Sequence, residues 1–446
     1  MKQQAALNKR NIYAIPVGSY FNRNSEDCYL VYAPLKNVFF LVKPDEIDRF
    51  EKELENGELS DELKKIVDDN NHQDSCLQEI SEDTFCTLHL LLNEKCNFNC
   101  GYCYSAAGRS KQELGIDTIR LALKHFLSAE RNAVKERTVM FMGGGEPTLS
   151  WQLLEQSTII AEQTAKEEGI RLHLSLTTNG SVLNQEKINF LKEHDFTVQV
   201  SFEVLPDVQT TQRGAYDSVA KNINRLCDAG VSNYLRATIT AMNVNRICEM
   251  VEHCHKAFPK VTKLSCQQVV DKDYFANTDI VDKFFDTYFN EFNRAVELAK
   301  SYGIELRSSS SHLINYSRRE RFCYNLLCLT PYGTLTTCPD ISNPTEQGYD
   351  KAVIGKVDTE VTFDKEAFER ETHGTIHNID ACRNCFARWN CGSGCPSSRK
   401  TYSDEIFNAI CNYYRRILAH NLIHTLAQRH ENATGRNMFE DIKQRL

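Results

Sequence analysis

The chain has 446 residues, 41% hydrophobic and 25% charged, a balance that excludes a disordered or collagen-like chain and predicts two or three domains. Lys plus Arg total 52 against 60 Asp plus Glu, and the net charge of −8 argues against a nucleic-acid binder, which carries a basic surface. No apolar run is long enough to span a bilayer, and MKQQAALNKRNIY at the start holds no signal-peptide block, so the reading is a cytoplasmic protein with no membrane partner.

Residues 1–80 read as a small α+β unit. CYLVYAP and NVFFLVK predict two paired strands turning at Leu35-Lys36, and DEIDRFEKEL and DELKKIV predict short helices after them. DDNNHQDS, 68–75, reads as a linker. Residues 86–305 then alternate six strand candidates (TLHLLL, TVMFM, LHLSLT, TVQVSF, YLRATIT and LSCQQVV) with amphipathic stretches such as IRLALKHFL and LLEQSTIIAEQTAKEE. Short apolar or β-branched runs bounded by turn residues suit strands buried on both faces. The rhythm predicts an α/β fold with six β–α units on a parallel sheet, a partial (β/α)6 TIM-like barrel short of the usual eight units. Residues 306–446 break that rhythm with SSSSH and a cysteine-rich segment, and a helix from about Asp404 to His430 follows, with Cys411 on its early turns.

Cysteine is the unusual count, 18 in all. In a reducing compartment so many thiols point to ligands or buried apolar residues rather than disulfides. Cys96, Cys100 and Cys103 lie in CNFNCGYC with CxxxCxxC spacing. A [4Fe–4S] cluster takes one cysteine per iron, so three thiolates on one loop would leave one iron open to a small molecule. A zinc loop that borrows a distant fourth ligand is the alternative. The second constellation holds Cys323, Cys328, Cys338, Cys382, Cys385, Cys391, Cys395 and Cys411, enough to ligate two further clusters, although CxxC-x5-CxxxC alone fits zinc equally well. The remaining seven cysteines read as buried small hydrophobes.

CNFNCGYC follows the first strand of the barrel, GGGEP (Gly143 to Pro147) the second and TTNG (Thr177 to Gly180) the third, while Ser201 and Glu203 end the fourth. All lie at carboxyl ends of parallel strands, where such sheets place their sites. A glycine-rich turn there lets backbone groups approach a ligand.

These residues resemble the radical SAM superfamily. CxxxCxxC with Tyr102 before its last cysteine is similar to that family's cluster loop, and GGGEP to its methionine-binding turn. The run from Cys323 through Gly333 to Cys338, then CxxC-x5-CxxxC and Cys411, resembles a Fe–S-binding SPASM domain. The resemblance covers roughly residues 86–420. It implies that Cys96, Cys100 and Cys103 hold a radical-generating [4Fe–4S] cluster whose open iron binds S-adenosylmethionine. Gly144, Gly145 and Glu146 would line the methionine end, Tyr102 would approach the adenine, and Asn179, Ser201 and Arg213 would hold ribose and carboxylate. Gly333 would turn the SPASM hairpin. Cys323, Cys328, Cys338 and Cys395 would ligate one auxiliary cluster and Cys382, Cys385, Cys391 and Cys411 another, three [4Fe–4S] clusters in all. The fourth strand departs from the family's Ser-x-Asp-Gly, reading Ser201-Phe202-Glu203-Val204.

The activity implied is reductive cleavage of S-adenosylmethionine to a 5′-deoxyadenosyl radical that abstracts hydrogen from a substrate. Two branches compete. A peptide maturase would modify a ribosomally made precursor peptide, and the 1–80 unit resembles a partial winged-helix element that captures the leader by strand addition. An anaerobic sulfatase-maturating enzyme would oxidise Ser or Cys to formylglycine; those enzymes carry an acidic residue directly after the cysteine matching Cys338, where this chain has Pro339 and then Asp340. Asp340 is the candidate catalytic base, with a surface turn as its other reading. A flavodoxin or ferredoxin would donate the electron. Outside radical chemistry, a zinc-binding or electron-transfer module is the competing class.

Overall fold

In the computed structural model, residues 5–67, 81–106, 109–311, 313–315, 319–323, 325–346, 348–372 and 374–443 are described. They fall into two compact units.

The first unit comprises residues up to 78, 309–322 and 374–446. Its sheet is antiparallel, in the order β1 (Tyr13–Pro16), β2 (Tyr29–Ala33) and β3 (Val38–Val42). The predicted hairpin is β2–β3, turning through Pro34–Lys36 onto Asn37 at φ 53°. The sequence reading missed β1, four residues ending in proline. The two predicted helices form as Pro44–Asn56 and Asp61–Ile66. Leu7, Val31, Phe50 and Leu63 are fully buried or nearly so in a core made by these elements. The same unit holds the helix Asp404–Thr434, which ends on Gly435 at φ 68°, a left-handed stop that favours glycine. The predicted linker, 68–75, lies outside the described residues.

The second unit comprises 79–308 and 323–373. Its parallel strands are β4 (Thr87–Leu90), β5 (Glu136–Phe141), β6 (Arg171–Thr178), β7 (Thr197–Ser201), β8 (Ser232–Ile239), β9 (Lys263–Gln268) and a short β10 (Glu305–Arg307), each beside the next. Helices follow the first six, as the six predicted β–α units require. Val139, Leu176, Val198 and Leu235 are fully buried, which is why these strands read as apolar runs. On its other side β4 pairs in parallel with β11 (Leu326–Leu329), which starts an antiparallel meander through β12 (Thr334–Thr336), β13 (Val353–Val357) and β14 (Val361–Phe363). Gly333 turns β11 into β12 at φ 75°, as the resemblance implies for a hairpin glycine.

Candidate active site

The long connection after β4 carries the three cysteines. Cys96, Cys100 and Cys103 lie within electrostatic reach of one another. Burial raises the Cys96 and Cys100 thiols, while Arg109 and Arg213 work against that rise. Arg109 Nη2 donates to Cys103 Sγ at 3.3 Å, and Arg213 Nη1 approaches Cys100 Sγ at 3.8 Å. The Phe98 amide donates to Cys96. Among the described residues no three cysteine, histidine or carboxylate side chains converge to hold a single metal ion. Neighbouring soft sulfur donors ringed by N–H groups fit an iron–sulfur cluster, whose electronics such hydrogen bonds tune.

Three neighbouring segments hold this loop. The GGGEP turn docks on its start, with Gly145 N to Asn93 O at 2.8 Å and Glu146 N to Lys95 O at 2.6 Å. A Cβ on Gly145 would stand 2.0 Å from Lys95 O, and one on Gly144, itself at φ 61°, would stand 2.7 Å from Asn93 O. Only glycine permits that approach. The Glu146 carboxylate, 2% exposed, accepts from Thr148 N (3.1 Å), Thr148 Oγ1 (2.5 Å), Thr178 Oγ1 (2.6 Å) and Asn179 N (2.7 Å). Its side chain therefore locks β5 to the end of β6, and the turn's backbone is what it leaves for a ligand. Asn179 Nδ2 donates to Asn97 Oδ1 on the cysteine loop at 2.9 Å. From the segment after β7, Gln212 O accepts Gly101 N at 3.3 Å. Ser201 closes β7, is buried, and pairs in register with Arg236 of β8.

Glu203 occupies the position where the sequence departs from the family pattern. It is completely buried and accepts from Arg213 Nε at 2.7 Å, from the Tyr102 hydroxyl, and from Thr238 N of β8 at 2.8 Å. The Arg213 guanidinium carbon lies 5.3 Å from the Tyr102 ring centre, a cation–π contact. Burial, followed by the Glu203 charge, pushes the Tyr102 hydroxyl above its usual range. Sequence reading named Tyr102, Arg213 and Glu203 separately but missed that this carboxylate joins the other two. It also missed Arg109, which follows Cys103 in no recognised motif. The third omission is Glu94, 1% exposed, which accepts from Ser110 Oγ (2.9 Å), Asn343 Nδ2 (2.6 Å) and Tyr332 Oη (3.2 Å).

Asp340 sits in a half-buried turn after β12. Its charge acts on Tyr104 together with Cys103, Cys328 and Cys338. Tyr104 itself is 50% exposed. Cys323 is exposed and Cys328 fully buried; these two and Cys338 belong to the second unit, Cys395 to the first.

Cys382, Cys385, Cys391 and Cys411 all lie in the first unit and are mutual electrostatic neighbours. Burial raises Cys391 to about 12 and Cys411 to about 11. Gly394 N and Arg399 donate to Cys391 and Cys382, and Arg415 Nη1 reaches Cys385 Sγ at 3.8 Å. Four thiols with N–H donors around them fit a second iron–sulfur cluster. Of the seven cysteines outside the motifs, Cys28, Cys254 and Cys266 are buried as expected, Cys86, Cys227 and Cys248 are only half-buried, and Cys76 lies outside the described residues.

The Radical SAM superfamily model matches residues 90–257. A GTP 3',8-cyclase of Actinobacillus succinogenes is 32% identical over 154 residues, 33% of this chain and 43% of that protein, so the chain spans less than half of that relative. A serine-type anaerobic sulfatase-maturating enzyme of Klebsiella aerogenes is 19% identical over 360 residues, 74% of this chain and 84% of the relative. Among solved structures, native anSMEcpe with bound AdoMet aligns with TM-score 0.60 at 16% identity, covering 76% of this chain and 98% of that one. Streptococcus suis SuiB bound to precursor peptide SuiA aligns with TM-score 0.50 at 16% identity, covering 83% and 94%. Those two likenesses show the fold, and the family match falls on the strands and loops that carry CxxxCxxC and GGGEP. Residues 90–257 of this chain are a radical SAM domain, and such a domain implies a [4Fe–4S] cluster and S-adenosylmethionine.

Proposed function

We propose that this chain is a radical SAM peptide maturase acting on a ribosomally made precursor. The observation that carries the radical part is the loop of Cys96, Cys100 and Cys103, set between Arg109 and Arg213 at the carboxyl end of β4. When bound, the cluster and its ligand supply one electron to the sulfonium and then an adenosyl radical that removes a substrate hydrogen atom. The chain's own part is to bind and orient. The glycine turn offers backbone to the methionine end, Asn179 and Ser201 offer polar atoms to the ribose, and Arg213 keeps Nη2 for a carboxylate, because Nε is held by Glu203 and Nη1 reaches Cys100 Sγ. Asp340, whose charge acts on Tyr104, would take a proton from substrate.

The peptide part rests on β3. Among the described residues it pairs only with β2, leaving an edge with half-buried Val38, Phe40 and Leu41 to which an extended leader can add. SuiB, solved bound to its precursor peptide, shares the fold, which supports a peptide substrate. The auxiliary cysteine sets, two clusters by this reading, would take up the electron left by an oxidative crosslink, and a flavodoxin or ferredoxin would deliver the first one. The sulfatase-maturase relative covers most of this chain, so formylglycine formation on a sulfatase is the second reading.

Iron analysis after anaerobic reconstitution tests the cluster count: the proposal expects about twelve irons per chain and little zinc. Replacing Cys96, Cys100 and Cys103 together by Ala is expected to abolish 5′-deoxyadenosine formation; retained formation discards the radical reading. Leu41→Glu on β3 is expected to weaken binding of a peptide encoded by a neighbouring reading frame at least tenfold, with uncoupled cleavage of S-adenosylmethionine unchanged. A sulfatase peptide modified in its place selects the second reading.

A further inference from the structure

Near the thiol loop Val204 has a backbone conformation that its residue type does not explain. It is β-branched and fully buried, yet sits at φ 67°, and Leu205 N donates to Glu203 O at 2.7 Å across it. That is a γ-turn of the rare, strained kind with positive φ, which a β-branched residue adopts least readily. Such strain persists where surrounding structure enforces it, and it concentrates at functional sites. Next to this turn the Glu203 carboxylate meets Arg213 and Tyr102, while Gln209 Oε1 accepts from the Glu203 amide at 2.9 Å.

The charges there are unequal in reach. Arg213 has a side chain 9% exposed and approaches Cys100 Sγ, so its positive charge acts on the thiol loop through little solvent. Left alone it would stabilise the more negative, reduced form of anything those thiolates hold. Glu203, fully buried and bonded to Nε, supplies the opposite charge.

We propose that Glu203 is a charge-compensating and positioning residue of the thiol loop: it aims Arg213 and Tyr102 at the site while cancelling the guanidinium's charge, and so keeps the cluster on Cys96, Cys100 and Cys103 a strong reductant. The inference rests on the cluster assignment proposed above. Charge compensation predicts a pattern that general damage does not. Removing Glu203 and removing Arg213 shift the cluster potential in opposite directions, and removing both restores it.

The test is an anaerobic redox titration of reconstituted holoenzyme, followed by paramagnetic resonance. The component of interest is the one missing from the Cys96, Cys100 and Cys103 triple Ala variant. Glu203→Gln is expected to make its reduction equilibrium tenfold more favourable, a rise of about 59 mV for one electron. Arg213→Gln is expected to lower the potential by a similar amount, and the double variant to return it to the wild-type value. Glu203→Asp, which keeps the charge, should hold the wild-type value. If Glu203→Gln does not fold, the lowered potential of Arg213→Gln and its restoration in the double variant carry the test. Single variants that leave the potential unmoved or move it the same way, or a double variant that is not restored, overturn the proposal. If the triple Ala variant loses no component, the cluster assignment falls and takes this inference with it.

Discussion

At the scale of single residues, buried ionisable groups decide what the second unit tolerates. His89 of β4 is 7% exposed, its Nδ1 lacks a hydrogen-bond partner, and burial pushes its imidazole down to about 4. An unfolded chain takes up that proton near pH 6.5, so between about pH 6.5 and pH 4 protons favour the unfolded state, and stability falls as pH falls. The expected loss from this residue is roughly 2 kcal/mol at about pH 5 and roughly 3 kcal/mol at about pH 4. Urea unfolding of wild type and His89→Leu across that window should show the variant losing less stability on acidification. Parallel curves would assign the acid sensitivity to other groups. His89 also shows why part of the site was not legible in the sequence. A histidine inside an apolar run looks the same whether it is a ligand or a satisfied or unsatisfied core group. Glu203 is a similar case, because its partner Tyr102 is 101 residues away and no local pattern joins them.

At the scale of elements, the strands were legible because burial on both faces demands apolar, β-branched sequence, and the cysteine and glycine motifs because their spacing is local. The helices Gln185–Glu193 and Ile247–Ala257, which the reading did not single out, are short, nine and eleven residues, and so offer few periods to read. The contact between the GGGEP turn and the cysteine loop yields the sharpest element-level prediction. Gly145→Ala puts a methyl into Lys95 O, which backbone cannot easily yield, so the turn and loop must separate. Affinity for S-adenosylmethionine, measured by equilibrium dialysis, is expected to fall more than tenfold while the fold is retained. A second case is Arg137 on β5, completely buried, which donates to the carbonyls of Val134 (2.8 Å) and Ser128 (3.2 Å) and of Phe126 and Asn132. It closes the end of the helix Ile116–Leu127 against its strand. Arg137→Ala leaves those carbonyls unsatisfied, and thermal unfolding should show a loss of about 3 kcal/mol.

At the scale of the whole molecule, both ends of the chain contribute to one compact unit and the middle forms the other. This division was not legible in sequence, since it depends on pairs such as Tyr32 Oη with Asn390 Oδ1 at 2.8 Å, separated by 358 residues. Trp389, 1% exposed, donates from Nε1 to Asn11 Oδ1 at 3.0 Å and lies between Cys385 and Cys391 in the chain. Removing residues 1–80 therefore uncovers the segment that carries four of the thiols. The truncated protein is expected to bind fewer irons per chain than the full one, and a ferrous-iron assay after reconstitution will show it. Undiminished iron would mean that this segment organises its cysteines without the N-terminal strands.

The 358-residue span between Tyr32 and Asn390 also bears on synthesis. The strands that leave the ribosome first gain their last hydrogen-bond partners only when the far segment has been translated. The nascent chain must carry its first sheet, docked to nothing but its own small core, while the whole parallel sheet assembles behind it. Pulse-labelled chains stalled before residue 390 should accordingly be cut by protease within the first seventy residues, and released chains should resist.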